Sequence, residues 1–375
     1  MDYFSKYTSN TTAGSANQLF FSPISAVEPL TGRVYYRVFA SGTYNYSFLF
    51  SNVLDSTFDH GDVAKRNRII DTWNLHETRV AVTKTCDPYA LNTKDMQQIT
   101  FGGGPRKQVA PGEFFTSDPI ELCAESGDYV CVEYVFSGRE IPYHEERIIP
   151  AYVMQDGKWF DSARVPFLGM LGCDRPVKRR IVFWGDSITQ GIGTERNSYD
   201  HWNARLAELL GDDYSYWNLG IGFGRASDAS SLGAWFYKAK HADLAVVCFG
   251  VNDLLQTGDD AQIKRDLSEI VEALTRAGVR IILQTVPPFN YQGDLIEKWK
   301  GVNEYIKTVL APRVEAVFDN GTVLSLSASE PQTARFGGHP DAEGCRLWAE
   351  ALLPVMREVL NRFKEKDNKS TEELL

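Results

Sequence analysis

Sulfur chemistry is sparse in this 375-residue chain, which has six cysteines, at 86, 123, 131, 173, 248 and 345, and none in a CxxC spacing. That pattern excludes a disulfide scaffold and a cysteine zinc site, and the cysteines read as reduced thiols. Histidine is as scarce, with six residues and no clustered ligand spacing, and His144-Glu145 lacks the second histidine of a zinc helix. No catalytic metal and no cofactor is therefore expected. Apolar runs are short, and none approaches the ~20 residues of a membrane-spanning helix. Positive charge is in deficit, with 39 Lys+Arg against 49 Asp+Glu and a net charge of −10. Such a surface repels phosphate backbones, which argues against nucleic acid and anionic membrane as partners. No basic stretch followed by an apolar core opens the chain, so no secretory signal is expected and the location reads as cytoplasmic. The glycosylation patterns at Asn10-Thr-Thr and Asn45-Tyr-Ser carry little weight in that setting.

The rest of the composition is that of a globular chain long enough for two or three domains. Two rhythms divide it. Residues 17–160 hold short β-like runs such as Arg33-Val-Tyr-Tyr-Arg-Val-Phe-Ala, Tyr44-Asn-Tyr-Ser-Phe-Leu-Phe and Tyr129-Val-Cys-Val-Glu-Tyr-Val-Phe. Turn clusters at Gly102-Gly103-Gly104-Pro105 and Ser126-Gly127-Asp128 separate such runs. Many short strands so spaced predict a β-sandwich of jelly-roll type. From about 179 onward strands and helices alternate. Apolar runs begin at Ile181, Tyr216, Leu244, Val279 and Val314, and helical spacing appears over 198–210, 259–277, 293–310 and 342–364. This alternation predicts a five-stranded parallel sheet with helices on both faces. Residues 161–178 read as a packed connection, and the charged tail after 364 as a frayed end. The expected division is thus a β-sandwich accessory domain with linker over 1–175 and an α/β domain over 176–375.

Several motifs fail on inspection. Gly191-Ile-Gly193 has Arg196 where a dinucleotide loop needs its third glycine, and Gly222-Phe-Gly224 also lacks one. Four other blocks each follow a predicted strand. Gly185-Asp186-Ser187 follows the first, where an open parallel sheet binds its ligands. Asn218-Leu-Gly220-Ile-Gly222 follows the second, where glycine lets backbone N–H groups approach a ligand. Gly250-Val-Asn252-Asp253 follows the third, and an asparagine amide can face a developing oxyanion without titrating. His339-Pro340 precedes the last helix, and imidazole is the side chain suited to take a proton from serine near neutral pH. Taken singly, each is an ordinary cap or turn. Together they supply a nucleophile, oxyanion donors and a base, which is what acyl transfer needs.

With these blocks in this order, residues 179–355 resemble the SGNH (GDSL-type) hydrolases. The resemblance implies a flavodoxin-like α/β/α domain with Ser187 as nucleophile and His339 as general base. It also implies an oxyanion hole made by the Ser187 N–H, a Gly222 N–H and the Asn252 side chain. Gly224 is the other glycine in register for that hole, since the family's usual position falls on Phe223. A second departure is larger. The family's acid, three residues before the histidine, is replaced here by Phe336. Either a Ser-His dyad operates or another acceptor, such as a main-chain carbonyl, orients the imidazole. Asp319 and Glu330 are nearby in sequence, but nothing in the sequence places either within reach of the imidazole.

Segments around Phe48, Ile99, Pro111-Gly112 and Gly127 are similar to the β-domain preceding the catalytic domain in some two-domain bacterial GDSL-type esterases. The resemblance implies a serine esterase removing short acyl groups, foremost acetyl, from a carbohydrate. A lipid-ester or thioester hydrolase and a non-catalytic carbohydrate-binding protein are the alternatives. The expected partner is a small-molecule or oligosaccharide ester, with the oligomeric state open. Tyr143-His144-Glu145-Glu146-Arg147 reads as a solvated charged loop, with substrate contact as its functional alternative. The eight tryptophans read mainly as core.

Overall fold

A computed structural model describes residues 3–16, 24–55, 58–59, 63–64, 71–144 and 147–372. The second half contains the five parallel strands Arg179–Gly185, Tyr214–Asn218, Leu244–Cys248, Arg280–Gln284 and Ala316–Phe318. Arg179–Gly185 lies between Tyr214–Asn218 and Leu244–Cys248, with Arg280–Gln284 and Ala316–Phe318 beyond. This is the doubly wound order, whose switch point falls between the first and third strands. Leu244–Cys248 is buried at every position, as a strand covered on both faces must be.

Right-handed crossovers send the helix after the first strand to one face and those after the next three to the other. Accordingly Trp202–Leu210 packs against the terminal helix Ala342–Glu372, with Trp202 and Trp348 stacked at 4.8 Å. Asp260–Arg276 packs against Ala226–Ala229 and Leu295–Tyr305. The start of Asp260–Arg276 is set by Asp259, whose carboxylate accepts from Gln262 N at 2.9 Å, an N-cap bond. Its buried face is Ile263, Leu267, Ile270, Val271 and Leu274, at helical spacing. The terminal helix continues to Glu372, where the charged tail reads as frayed in sequence. No helix among the described residues is long and apolar enough to cross a membrane.

The parallel sheet has one strand more than the five expected. Thr8–Gly14 enters beside Tyr214–Asn218 as a sixth parallel strand, with Asn10 opposite Tyr216 and Gly14 opposite Asn218. Its first two residues pair antiparallel with Met170–Cys173 instead, Thr8 opposite Cys173. Met170–Cys173 pairs with Gly42–Ser51, which in turn pairs with Ile120–Ala124 and Phe114–Thr116. One ten-stranded sheet thus runs from the α/β half into the β half. Residues 161–178 are more than a connection, because they hold one of its strands. The sheet has no break at the 175/176 boundary.

A second sheet takes the order Lys158–Asp161, Ala151–Gln155, Ile24–Arg37, Tyr129–Ile141, Trp73–Thr83 and Gln97–Gln98. Its neighbours pair antiparallel, and Val34, Tyr36, Val132 and Tyr134 project into one core. Tyr46, Phe48, Phe50 and Leu122 enter the same core from the ten-stranded sheet. The β half is therefore two antiparallel layers closed on each other. A wholly buried ion pair, Lys238 Nζ to Asp55 Oδ2 at 2.5 Å, adds a further tie between the halves.

Candidate active site

The first parallel strand ends at Gly185, and a single helical turn, Ser187–Gln190, follows at once. The Asp186 side chain caps it by accepting from Ile188 N at 3.0 Å. Ser187 opens the turn, so its N–H has no intrahelical partner. Its Oγ lies 2.8 Å from His339 Nε2, although 152 residues separate the two in sequence. Ser187 is 8% exposed. His339 is carried by the loop before the terminal helix. That loop is closed by Asp341, which donates its N–H to the Phe336 carbonyl (3.2 Å) and accepts Gly344 N on its side chain (2.9 Å). Gly193 presses on the same loop. At φ +105°, an added Cβ would lie 2.7 Å from the Pro340 carbonyl and 2.8 Å from that of His339.

The other two blocks close around this pair. Ile221 donates its N–H to the Gly185 carbonyl at 3.2 Å. An added Cβ on Gly220 would lie 2.1 Å from Gln190 N, so only glycine lets the second block meet the serine turn. Asn252 is the second residue of the helix Val251–Gln256 after the third strand and donates from Nδ2 to the Gly224 carbonyl at 3.0 Å. The Gly224 N–H closes its own turn onto the Ile221 carbonyl at 3.2 Å. Gly222 is the other of the two glycines in register. Asn252 has its second amide hydrogen beyond the one bonded to Gly224.

Among the described residues no carboxylate supports His339. Its one hydrogen bond among the described residues is to Ser187, and burial is what lowers its pKa; a nearby carboxylate would raise it. The Phe289 ring meets the imidazole edge-on at 5.5 Å, and Phe336 lies under the Arg335 guanidinium at 4.9 Å. Asp319 is engaged elsewhere, by Lys307, by Thr285 Oγ1 at 3.1 Å and by Gly321 N at 3.1 Å. Glu330 is exposed.

Three groups not singled out in sequence are built into the site. Asp186 and Asp253 are buried carboxyls, each pushed up to about 7 by burial. Asp253 accepts from Ala226 N at 2.9 Å and Ser227 N at 3.3 Å, which anchors the segment beyond the Gly224 turn. The third is Gln190, whose amide lies 2.7 Å from His144. His144 is 1% exposed, so the reading of its segment as a solvated charged loop is corrected here. Arg147 in the same segment pairs with Asp161 at 2.7 Å, and Glu145 and Glu146 lie outside the described residues. The only sequence signal was the density of titratable groups in that segment, which does not distinguish a buried histidine from a solvated one.

A cavity of about 640 Å³ opens elsewhere, lined by Trp299, Lys300, Lys307, Asp319 and Ser325 among others, and holds neither Ser187 nor His339. Among the described residues no group of three or more His, Cys, Asp or Glu could hold a metal ion.

Residues 183–347 match the model of the GDSL-like Lipase/Acylhydrolase family. No curated protein matches the chain. Among solved structures it is similar to a carbohydrate acetylesterase family member from Sinorhizobium meliloti, at 20% identity over 49% of this chain and 100% of that one, with a TM-score of 0.38. An inhibitor-bound aryl esterase from M. smegmatis gives 21% identity over 48% of this chain and 99% of that one, with a TM-score of 0.40. A member of the lipolytic G-D-S-L family from Veillonella parvula gives 20% identity over 47% and 97%, with a TM-score of 0.38.

Proposed function

We propose that the chain is a serine esterase that removes short acyl groups, foremost acetyl, from a carbohydrate. The observation that carries the esterase reading is the 2.8 Å contact between Ser187 Oγ and His339 Nε2 inside a GDSL-like domain. Residues 176–375 supply the chemistry in this reading, and residues 1–175 are the accessory part. His339 Nε2 accepts the Ser187 proton as Oγ attacks the ester carbonyl. The oxyanion is met by the Ser187 and Gly222 N–H groups and the Asn252 amide, each donor worth about 3 kcal/mol of transition-state stabilisation. The protonated imidazole then gives its proton to the leaving alcohol, and water clears the acyl-enzyme by the reverse sequence.

The acetyl and carbohydrate parts rest on the likeness of the blocks to GDSL-type carbohydrate esterases. They are tested by hydrolysis of p-nitrophenyl esters from acetyl to octanoyl, beside Ser187→Ala. Activity greatest on acetyl, falling with chain length and reduced in the variant roughly 10⁵- to 10⁶-fold with the fold intact, is the expected result. Full activity in Ser187→Ala would overturn the esterase mechanism. Rates rising with chain length would move the substrate to lipid or thioester. No activity in folded wild type, with no labelling by a serine-directed phosphonate, would favour a carbohydrate-binding protein.

A further inference from the structure

The helical turn that carries Ser187 spans four residues. A single turn has no cooperativity of its own, so it must be held by its surroundings. Asp186 holds its first end. Its second end is held by a buried set of side chains. Asn203 Nδ2 donates to the Thr189 carbonyl at 2.5 Å and Asn218 Nδ2 to the Gln190 carbonyl at 3.3 Å. The Gln190 side chain, one turn below Ser187 on the same face, reaches out of the α/β half altogether. Its amide donates to His144 Nε2 at 2.7 Å. His144 is wholly buried in the β half, packs edge-on against Phe167 at 5.9 Å and also hydrogen-bonds the Gly14 backbone. Gly14 ends the strand that joins the parallel sheet. With Nε2 accepting, the neutral ring carries its proton on Nδ1 and presents it to the Gly14 carbonyl.

We propose that His144 is a positioning residue for the nucleophile, acting through Gln190: the β half helps set the Ser187 turn against His339 by way of this imidazole. The proposal rests on the esterase reading and adds to it a role for residues 1–175 in the chemistry itself. A polar residue buried only for stability would change folding and leave the chemistry of folded molecules alone. A positioning residue changes kcat, because a shift of about 1 Å at the nucleophile can cost ~10²-fold.

The test compares two isosteric replacements in the full chain. His144→Gln keeps an acceptor at the Nε2 position. His144→Asn keeps only the donor at the Nδ1 position. Gln190→Met removes the partner's donor at similar volume. Each is measured for ester hydrolysis per folded molecule, for the rate of phosphonate labelling at Ser187, and for Tm. His144→Asn and Gln190→Met are expected to lower kcat and the labelling rate about 10- to 100-fold with KM within about twofold. His144→Gln should stay within about threefold of wild type, and the Asn/Met double variant should lose no more than either single one. Loss of Tm in all variants with kcat and labelling unchanged would overturn the proposal, as would a loss confined to KM, which would place His144 against the substrate. If His144→Asn does not fold, Gln190→Met alone decides between the same outcomes. Wild-type protein that neither hydrolyses esters nor labels would overturn the esterase reading and this proposal together, a pattern distinct from either failure above.

Discussion

With Phe336 three residues before His339, no acid stands at the position the resemblance assigns to it, and the imidazole meets the Phe289 ring edge-on. Burial lowers its pKa and no negative charge opposes that shift. A general base must be neutral, so a lowered pKa extends the active range downward in pH. The acid limb of kcat/KM, which reports the free enzyme, is expected to have its midpoint below the ordinary imidazole value of 6.5. A pH–rate profile checks this, and a midpoint above that value would mean that a carboxylate reaches His339 in solution. Asp186 and Asp253 are the nearby groups that would add a second limb, since burial holds each carboxyl at about 7. In Asp186→Asn the cap bond to Ile188 is retained, and a limb near 7 that belongs to Asp186 should vanish while the lower one stays; a limb near 7 that survives would belong to Asp253. The serine, the asparagine and the histidine were all legible in sequence because each is a reactive or donor group at a predicted strand end. Gln190 and His144 were not, because nothing in sequence distance or residue type links an amide in one half to an imidazole in the other.

The elements of the α/β half follow their sequence pattern closely. Leu244–Cys248 is apolar because both its faces are covered, and the 3.6 period of Asp260–Arg276 marks its buried face. Thr8–Gly14 is the opposite case. Its sequence, Thr-Ser-Asn-Thr-Thr-Ala-Gly, has no apolar alternation, yet all seven residues are buried. Side-chain bonds substitute for apolar packing. Asn10 Nδ2 donates to the Ala40 carbonyl at 3.1 Å and to Tyr46 OH at 2.8 Å, and Asn10 Oδ1 accepts Ala40 N at 2.9 Å. An Asn10 glycan is incompatible with that burial. The loop after the nucleophile turn has a similarly hidden constraint. Gly191-Ile-Gly193 fails as a dinucleotide motif, but Gly193 has φ +105° and abuts the His339 and Pro340 carbonyls. Gly193→Ala is therefore expected to displace the His339 loop and lower kcat about 10- to 100-fold. Steady-state kinetics with a Tm control would show it, and unchanged kcat would mean the loop yields freely.

At the scale of the whole molecule, the two halves share a sheet and a buried charge pair. Lys238 and Asp55 are both fully buried, so neither charge has water to replace a lost partner. Lys238→Met should destabilise the chain by about 3–5 kcal/mol, the cost of removing one partner of a buried ion pair. The double replacement Lys238→Met/Asp55→Leu should recover part of that loss. Urea unfolding of the three proteins measures both, and a single variant within about 0.5 kcal/mol of wild type would show that the Lys238–Asp55 pair contributes little to stability. The shared sheet also means that cutting the chain at 175 would remove both Thr8–Gly14 and its neighbour Met170–Cys173. The edge of Tyr214–Asn218 would then be left unpaired.

The sequence by itself determined the local structure and the chemistry at the strand ends. Apolar period and strand–helix alternation are short-range signals, and the Gly-Asp-Ser, Gly-Val-Asn-Asp and His-Pro blocks mark where the parallel sheet can present reactive groups. It also determined the absence of an acid at Phe336. Only the tertiary structure decided how the halves join. A strand made of polar residues is specified by partners distant in sequence, and so is the depth at which a histidine such as His144 lies. Those partners, Tyr46 and Tyr216 for the strand and Gln190 for the imidazole, become neighbours only when the chain has folded. Burial is a property of the assembled layers, and it decides which polar groups must find each other.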